Sequence, residues 1–577
     1  MIKIEHLTFT YPGADVPNLK EVSLKIEEGD FVAIIGNNGC GKSTLCKALI
    51  GLIPHFIQGD LEGDLWIDGK NTKELSVGEI AQNIGYVYQD FENQIVRPTV
   101  LDDASFACLN YAMKDYEEKG RKALSMCGLY GKENEFIWQL SGGQKHLLAL
   151  AGAVALSPNV LILDEPVAQL DPAHAKQIYD VLRYLNEEHQ KTIIVIEHHT
   201  DFISEYCKHA ILMKDGTVMW KLNAKEAMRR VEELEASNIY PPQVTVAARK
   251  LQKKGMLVED IKLPTTLEEA KETFDQFHWK QEEGNDSIEL LEKVRQEETV
   301  QLNEVTVEYQ SVKGKPVCIF NDFSLNLRKG EKIALIGSNG AGKSTMMKLM
   351  IGLMKPKSGQ VLIGGRDTRK YNADELSRTI SLVYQNPEEM FIKDSIKEDI
   401  CYAMKERRID HYEKRALDLM KKFRLEDLAD RDGRLLSGGQ MRRASLAIGV
   451  ALNPQILLLD EPTANLDIAT RKEIMKLLKE MKDVTDTVMI ATHDMQLVCE
   501  WAERVIVISE GELIADGTVD EVFSNEAVVK RVGIHPPEIF YAAQQVCKEA
   551  KVYTVLDFVE GLQKGEYCEW KSCQKIY

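Results

Sequence analysis

The chain has 577 residues, 44% of them hydrophobic and 28% charged, with 72 Lys and Arg against 90 Asp and Glu and a formal net charge of −18. This is the composition of a folded globular protein, and the length allows for about three to five domains of roughly 100–200 residues. The acidic balance weighs against broad binding to nucleic-acid phosphates, which needs a basic surface. No apolar run approaches the ~18–20 residues that span a bilayer. The opening MIKIEHLTF lacks the basic-then-apolar pattern of a secretion signal, so a cytosolic chain is expected, with any membrane role exercised through partners. Eleven cysteines without framework spacing read as reduced thiols, Cys568 and Cys573 forming a C-x4-C pair near the end.

In chain order, FVAIIG over 31–36 reads as a buried strand ending at glycine, followed by GNNGCGKST and a helix-like STLCKALIGL. That strand–loop–helix context makes G-x-x-x-x-G-K-[ST] a credible phosphate loop. Gly36, Asn37, Gly39, Cys40 and Gly41 would let backbone N–H groups close around phosphates, with the N-terminus of the Lys42–Ser43–Thr44 helix behind them. Lys42 is expected to reach the β- and γ-phosphates and Ser43 to ligate Mg²⁺. The segment PHFIQGDLEG over 54–63 reads as a surface loop. VLILDEP and TIIVIEH are further buried strands with polar C-terminal ends, where open α/β sheets bind ligands. Asp164 would hold Mg²⁺, and Glu165 beside the γ-phosphate can orient or deprotonate the attacking water. Residues 221–300, with 13 basic and 17 acidic side chains, read as a helical charged connector.

The chain then repeats itself. KIALIG leads into GSNGAGKST at Gly337, 301 residues after Gly36. QLSGGQ and LLSGGQ end 296 residues apart, as do LILDEP and LLLDEP, and His198 and His493 are 295 apart. IYPPQVTVAA from Ile239 is mirrored by IHPPEIFYAA from Ile534. The second phosphate loop therefore offers Gly337, Ser338, Gly340, Ala341, Gly342, Lys343, Ser344 and Thr345, and the second acidic strand end offers Asp460 and Glu461. We expect an α/β protein of two tandem P-loop NTPase domains, at 1–225 and 299–520, with a tail and linker at 226–298 and a C-terminal tail at 521–577.

Ser141, Gly142, Gly143 and Gln144 stand 23 residues before the strand-ending Asp-Glu, measured from Ser141 to Asp164, and Ser437, Gly438, Gly439 and Gln440 repeat the arrangement. This LSGGQ resembles the signature motif of ATP-binding cassette (ABC) proteins, and the resemblance covers both halves nearly end to end. In that family two cassettes pair head to tail and sandwich each ATP between one unit's phosphate loop and the other's signature. The resemblance then implies one site from Lys42, Ser43, Gln89, Asp164, Glu165 and His198 with Ser437 and Gly439, and a second from Lys343, Ser344, Gln385, Asp460, Glu461 and His493 with Ser141 and Gly143. Gln89 and Gln385 match the glutamine loop that contacts Mg²⁺ and faces the membrane partner, each 52 residues before its signature serine, which leaves room for a helical subdomain. His198 and His493 match the switch histidine, although the first half reads Glu197-His198-His199 instead of T-H-D. Asp171 and Asp467 match the loop that communicates between sites, and Tyr11 and Tyr309 the aromatic that stacks on adenine.

FTYPG, GLIPHFIQGDLEG and the PP-containing tails are similar to the duplicated ATPases of energy-coupling factor importers. That resemblance implies a transmembrane coupling protein and a small membrane protein capturing a vitamin or metal ion, with the tails helping to hold the ATPase pair together. It also places the chain at the cytoplasmic face of the membrane. The alternatives are a fused sugar-importer ATPase, in many of which one half is degenerate, and a soluble twin-cassette protein acting on ribosomes, which typically carries a basic connector. Acidic Asp90, Glu92, Glu388 and Glu389 beside the glutamine loops could pair with arginines of a membrane partner, and Cys40 inside the first phosphate loop could make ATP binding sensitive to thiol modification.

Overall fold

The computed structural model describes residues 1–167, 170, 172–280, 297–309, 316–338, 340–464, 466, 468–481 and 485–564. Asp171, Asp467, Cys568, Cys573 and the linker stretch 281–296 lie outside the described residues. Two compact units result: Met1–Lys280 together with Glu538–Tyr577, and Gln281–Pro537.

In the first unit the central sheet has six strands, edge to edge Thr217–Asn223, His209–Lys214, Phe31–Ile35, Thr192–Ile196, Val160–Asp164 and Ile84–Val87. All are parallel except the Thr217–Asn223 edge. Phe31–Ile35, Val160–Asp164 and Thr192–Ile196 are buried along their whole length. Parallel strands covered on both faces are built from such unbroken apolar runs. A second, antiparallel sheet of Leu19–Ile26, Ile2–Thr10, Asp60–Ile67 and Lys70–Asn71 covers one side. Asp60–Ile67 corrects the loop expected over 54–63: Asp60, Leu61 and Glu62 pair with Thr10, Phe9 and Thr8, and Gly63 falls at a bulge in the register. Alternation with Leu65 and Ile67 turned inward outweighs the Gly and Asp that suggested a loop.

Between the glutamine loop and the signature, helices Val100–Asn110 and Tyr116–Met126 form the expected helical subdomain, packed with the signature helix Gly142–Val154 around Ala104, Leu124, Leu147 and Leu150. The second unit repeats the plan. Its strands run Ile380–Val383, Ile456–Asp460, Thr487–Ala491, Lys332–Ile336, Arg504–Ser509 and Glu512–Gly517. Helices Ile396–Glu406, Tyr412–Lys422 and Gly438–Gly449 form its helical part.

The two tails share one core, within the first unit. Ile539, Ala542, Phe558, Val559 and Leu562 pack with Val244, Ala248, Leu251, Phe274 and Phe277. Strands Phe277–Trp279 and Leu562–Lys564 pair antiparallel, His278 opposite Gln563. The repeat-related residues Gln243 and Glu538 cap each other's helices: the Ile539 N–H donates to Gln243 Oε1 at 2.9 Å, and the Val244 N–H to Glu538 Oε2 at 3.2 Å.

Candidate active site

In the first unit the phosphate loop joins Phe31–Ile35 to the helix Lys42–Leu49. Glycine is required at Gly41, where φ is 105° and a Cβ would sit 2.7 Å from the Asn18 carbonyl oxygen. A Cβ on Gly36 would likewise meet the Met213 carbonyl oxygen at 2.4 Å. The buried Lys42 donates to the Gly36 and Asn37 carbonyls at 2.6 and 3.0 Å, so its ammonium lies under the loop. Ser43 is exposed at the loop's end and donates to Asp164, which also accepts from the Tyr86 hydroxyl at 3.1 Å. Burial raises the Asp164 pKa, and the neighbouring Glu165 charge adds to the effect.

Glu165 is held on three sides. Its Oε2 accepts from the Gln89 amide at 2.7 Å, its Oε1 lies 3.2 Å from His198 Nε2, and its backbone N–H donates to the Ile196 carbonyl at 3.1 Å. Burial opposes its ionisation, but the hydrogen bond and charge of His198 outweigh it and hold the carboxyl below its usual range. Its φ of 49° is left-handed, and Glu461 repeats this at 46°. Strained conformations of non-glycine residues concentrate at functional sites.

In the second unit Lys343 donates to the Gly337 and Ser338 carbonyls at 2.6 and 3.2 Å and lies 3.0 Å from His493 Nε2. Ser344 Oγ donates to Asp460 Oδ2 at 3.0 Å. Here the partly exposed Glu461 accepts from the Thr492 hydroxyl at 3.1 Å and the His493 N–H at 3.4 Å, while the His493 ring stands 3.7 Å away. Burial pushes the Glu461 carboxyl above its usual range.

Tyr11 and Tyr309 lie beside their phosphate-loop helices, hydroxyls 3.4 and 3.3 Å from Thr44 and Thr345 Oγ1. Cys40 and Ala341 are both buried. Burial pushes the Cys40 thiol up, against the reactive cysteine that the sequence suggested. Each signature serine caps its helix through a box with Gln144 or Gln440. A Cβ on Gly143 would sit 2.3 Å from His174, and one on Gly439 2.5 Å from Thr470. Gly142 and Gly438 have nothing within 4 Å of that position, so each motif keeps one open face. Among the described residues, neither signature hydrogen-bonds to the phosphate loop of its own unit. Gln89 and Gln385 are exposed. Of the four acids beside them, Glu92 is paired with Lys145 at 2.8 Å.

Sequence reasoning missed Tyr86, Tyr179, Glu197 and Arg442. The buried Arg442 donates to the Tyr384 and Gln385 carbonyls at 3.0 and 2.8 Å, tying the signature helix to the glutamine loop. Its repeat counterpart is His146, buried and stacked 4.3 Å from Phe91. Only Glu197 carried a signal, as the departure from T-H-D.

The ABC transporter family pattern matches residues 19–168 and 320–464. The chain belongs to the ABC transporter family. A putative ABC transporter ATP-binding protein of Methanosarcina acetivorans is 34% identical over 556 residues, 93% of this chain and 89% of that protein. Another, from Caldanaerobacter subterraneus subsp. tengcongensis, is 32% identical over 555 residues, 95% and 96% of the two chains. Among solved structures, cbiO1 from Clostridium perfringens, part of the ABC transporter complex cbiONQ, is 32% identical, covers 42% of this chain and 97% of that one, and has a TM-score of 0.36. The protein is thus an ATP-hydrolysing ABC protein with two cassettes, the ATP-binding protein of a transporter. Among its described residues no helix is long and apolar enough to cross a membrane.

The glycine-lined loop, with its buried lysine, fits a nucleotide's phosphates. Among the described residues no group of three His, Cys, Asp or Glu could hold a metal. Each site instead offers one hydroxyl beside one carboxylate, Ser43 with Asp164 and Ser344 with Asp460. That donor set suits Mg²⁺, which keeps several waters and binds through one or two carboxylates plus substrate phosphates.

Proposed function

We propose that this ABC ATPase energises an importer of the energy-coupling factor type for a vitamin or metal ion, bound at the cytoplasmic face of the membrane through a coupling protein and a substrate-capture protein. The observation that carries this reading is the tail core, in which residues 231–277 and 539–562 from the ends of the two repeats are packed together. It agrees with the FTYPG and PP-tail resemblance, and the connector's 13 basic against 17 acidic residues disfavour a ribosome-acting protein. Glu165, Glu461 and both LSGGQ motifs are intact, which disfavours a sugar importer with one degenerate half.

In this reading each ATP is bound by one unit's phosphate loop and the other unit's signature. Lys42 and Lys343 bind the β- and γ-phosphates, and Tyr11 and Tyr309 stack on adenine. Ser43, Gln89 and Asp164 would hold Mg²⁺ in one site and Ser344, Gln385 and Asp460 in the other; the ion supplies charge compensation for the phosphates. Glu165 and Glu461 orient the attacking water and take its proton, and His198 and His493 contact the γ-phosphate. Ser437 and Gly439 complete the first site and Ser141 and Gly143 the second, in signatures whose open glycine positions are Gly438 and Gly142. Asp171 and Asp467 link the two sites. Closure on ATP is passed to the membrane protein through the segments after Gln89 and Gln385, where Asp90, Glu388 and Glu389 are exposed.

The test has two arms. Glu165→Gln with Glu461→Gln should bind ATP normally and lose turnover by about a hundredfold or more, the usual scale of a general base. The tagged chain should also capture integral membrane proteins from detergent-solubilised membranes. Capture of ribosomes alone would overturn the importer reading, and full turnover in the double variant would overturn the assignment of the two glutamates.

A further inference from the structure

The first unit's switch segment reads Glu197-His198-His199 where the second reads Thr492-His493-Asp494. Thr492 Oγ1 donates to Glu461, and the His493 N–H also donates to Glu461, at 3.4 Å. Asp494 caps the following helix through the Leu497 N–H and pairs with Arg471 at 2.7 Å.

The Thr492 hydroxyl and the Asp494 carboxylate have no counterpart in the first unit, where Glu197 and His199 take those positions. Glu197 is 2% exposed, directly under His198. Its Oε1 accepts the N–H groups of both His198 and His199, at 2.7 and 2.9 Å. Its Oε2 accepts the Tyr179 hydroxyl at 2.6 Å. Tyr179, fully buried in the helix Pro172–Glu187, is fixed by Phe202 stacked at 4.6 Å and Phe31 at 6.5 Å. Its position in the repeat is taken by Met475 in the second unit, which cannot donate such a bond.

A buried carboxylate with two oxygens can take all three donors, whereas a threonine hydroxyl cannot. Burial and the Glu197 charge raise the Tyr179 pKa far above neutrality, so the phenol remains a donor throughout the working range. The consequence lies one residue on. With its backbone N–H taken by Glu197, His198 presents its ring to Glu165, and Glu165 keeps Oε2 for Gln89. His199 is exposed and packs edge-on, 6.2 Å from Phe202.

We propose that Glu197, locked by the Tyr179 hydroxyl, is a positioning residue that fixes the backbone of His198 and so selects His198, not His199, to act at the first ATP site. The proposal rests on the reading of His198 as the switch histidine and deepens it. Glu197 meets neither nucleotide nor water in this role; it acts through the main chain of its neighbour.

The test uses the full chain carrying Glu461→Gln, so that turnover reports the site of Glu165. In that background His198→Ala should abolish turnover and His199→Ala should leave it within about twofold. Tyr179→Phe, which removes one hydroxyl and no packing volume, should lower kcat about threefold to tenfold with KM for ATP within about twofold, because geometry at the reacting centre is lost and nucleotide binding is not. Glu197→Ala should lower kcat further, and Glu197→Gln, whose amide oxygen can still accept both N–H groups, should recover most of it. If Glu197→Ala does not fold, Tyr179→Phe and Glu197→Gln carry the test. Parental turnover with His198→Ala would overturn the underlying reading. A dead His198→Ala together with parental kcat in Tyr179→Phe and Glu197→Ala would leave that reading standing and overturn the positioning role.

Discussion

Replacing Glu538 by Gln tests the tail core through an acid at the junction of its helices. Glu538 sits only partly exposed at the N-terminus of Glu538–Val546, where its Oε2 accepts the Val244 N–H. Burial pushes its carboxyl up to about 8 from 4.5, the Asp201 charge adds to the rise, and the N–H groups of Val244 and Gln243 oppose it. The sign follows from linkage. Below the unfolded value both states carry the proton and the side chain contributes its full stability; as pH rises toward and through 8, the unfolded chain has already released a proton that the fold retains, and that stability is lost. At 1.36 kcal/mol per pK unit the full shift amounts to about 3 kcal/mol at pH 7 and about 5 kcal/mol above pH 8. The side chain keeps some solvent contact, so we expect roughly 1–2 kcal/mol in practice. Gln retains an oxygen for the Val244 N–H and carries no proton that ionises. Glu538→Gln should therefore melt about 1–4 °C above the parent at pH 8, since roughly 1 kcal/mol moves Tm by about 2–4 °C in a domain of 150–250 residues and by less in a larger one. The gap should close toward pH 4. Thermal melts between pH 4 and 9 measure it. A gap that does not vary with pH, or a less stable Gln variant at pH 8, would refute the reasoning.

Arg442→Met frees the carbonyls of Tyr384 and Gln385, so we expect a loss of about 1–3 kcal/mol and faster hydrogen exchange over 384–390. His146→Met should cost less than about 1 kcal/mol, because the ring nitrogens it removes are buried without a hydrogen-bond partner and the Phe91 stacking it loses is partly replaced by a thioether; equal losses in the two variants would contradict the asymmetry. The buried, protonated Cys40 thiol should react slowly, so alkylation near pH 7 should inactivate parent and Cys40→Ala at the same rate, and protection by Cys40→Ala would show that the thiol is reachable.

The architecture was legible where the chemistry demands particular residues. A phosphate cradle needs glycines and a lysine, so GNNGCGKST and GSNGAGKST located both strand–loop–helix turns. The unbroken apolar runs before Asp164 and Asp460 located the central strands. What stayed hidden depends on which elements meet in space. Tyr86 is an unremarkable strand tyrosine until the neighbouring strand brings Asp164 under its hydroxyl. Tyr179 is one more apolar-face residue of its helix until it meets Glu197. The shared tail core is not visible in the residues themselves, because the mirrored IYPPQVTVAA and IHPPEIFYAA show that the tails are related and not that they pack together. Asp60–Gly63 was misread because Gly59, Asp60 and Gly63 interrupt the apolar pattern there, while the pairing with Ile2–Thr10 that fixes it is non-local.

The two repeats share the phosphate-loop Lys and Ser, the LSGGQ signature, the strand-ending Asp-Glu and the switch His, and differ in what holds those residues. Glu165 is braced by Gln89 and His198, Glu461 by Thr492 and the His493 backbone. Asp164 has the Tyr86 hydroxyl, where the second repeat has Leu382. The glutamine loop is tied by Arg442 in one unit, and its counterpart in the other is the stacked His146. Hydrolysis rates respond to misplacements of an ångström or less, because a bound nucleophile must meet the phosphorus in line. Identical motifs therefore do not imply identical rates. If, as proposed, each site is completed by the other unit's signature, the two supports in a fused chain need not match, because every brace has only one partner sequence to satisfy. Unlike supports for like chemistry make Glu197 and Arg442 the residues to exchange when the turnover of the two sites is compared.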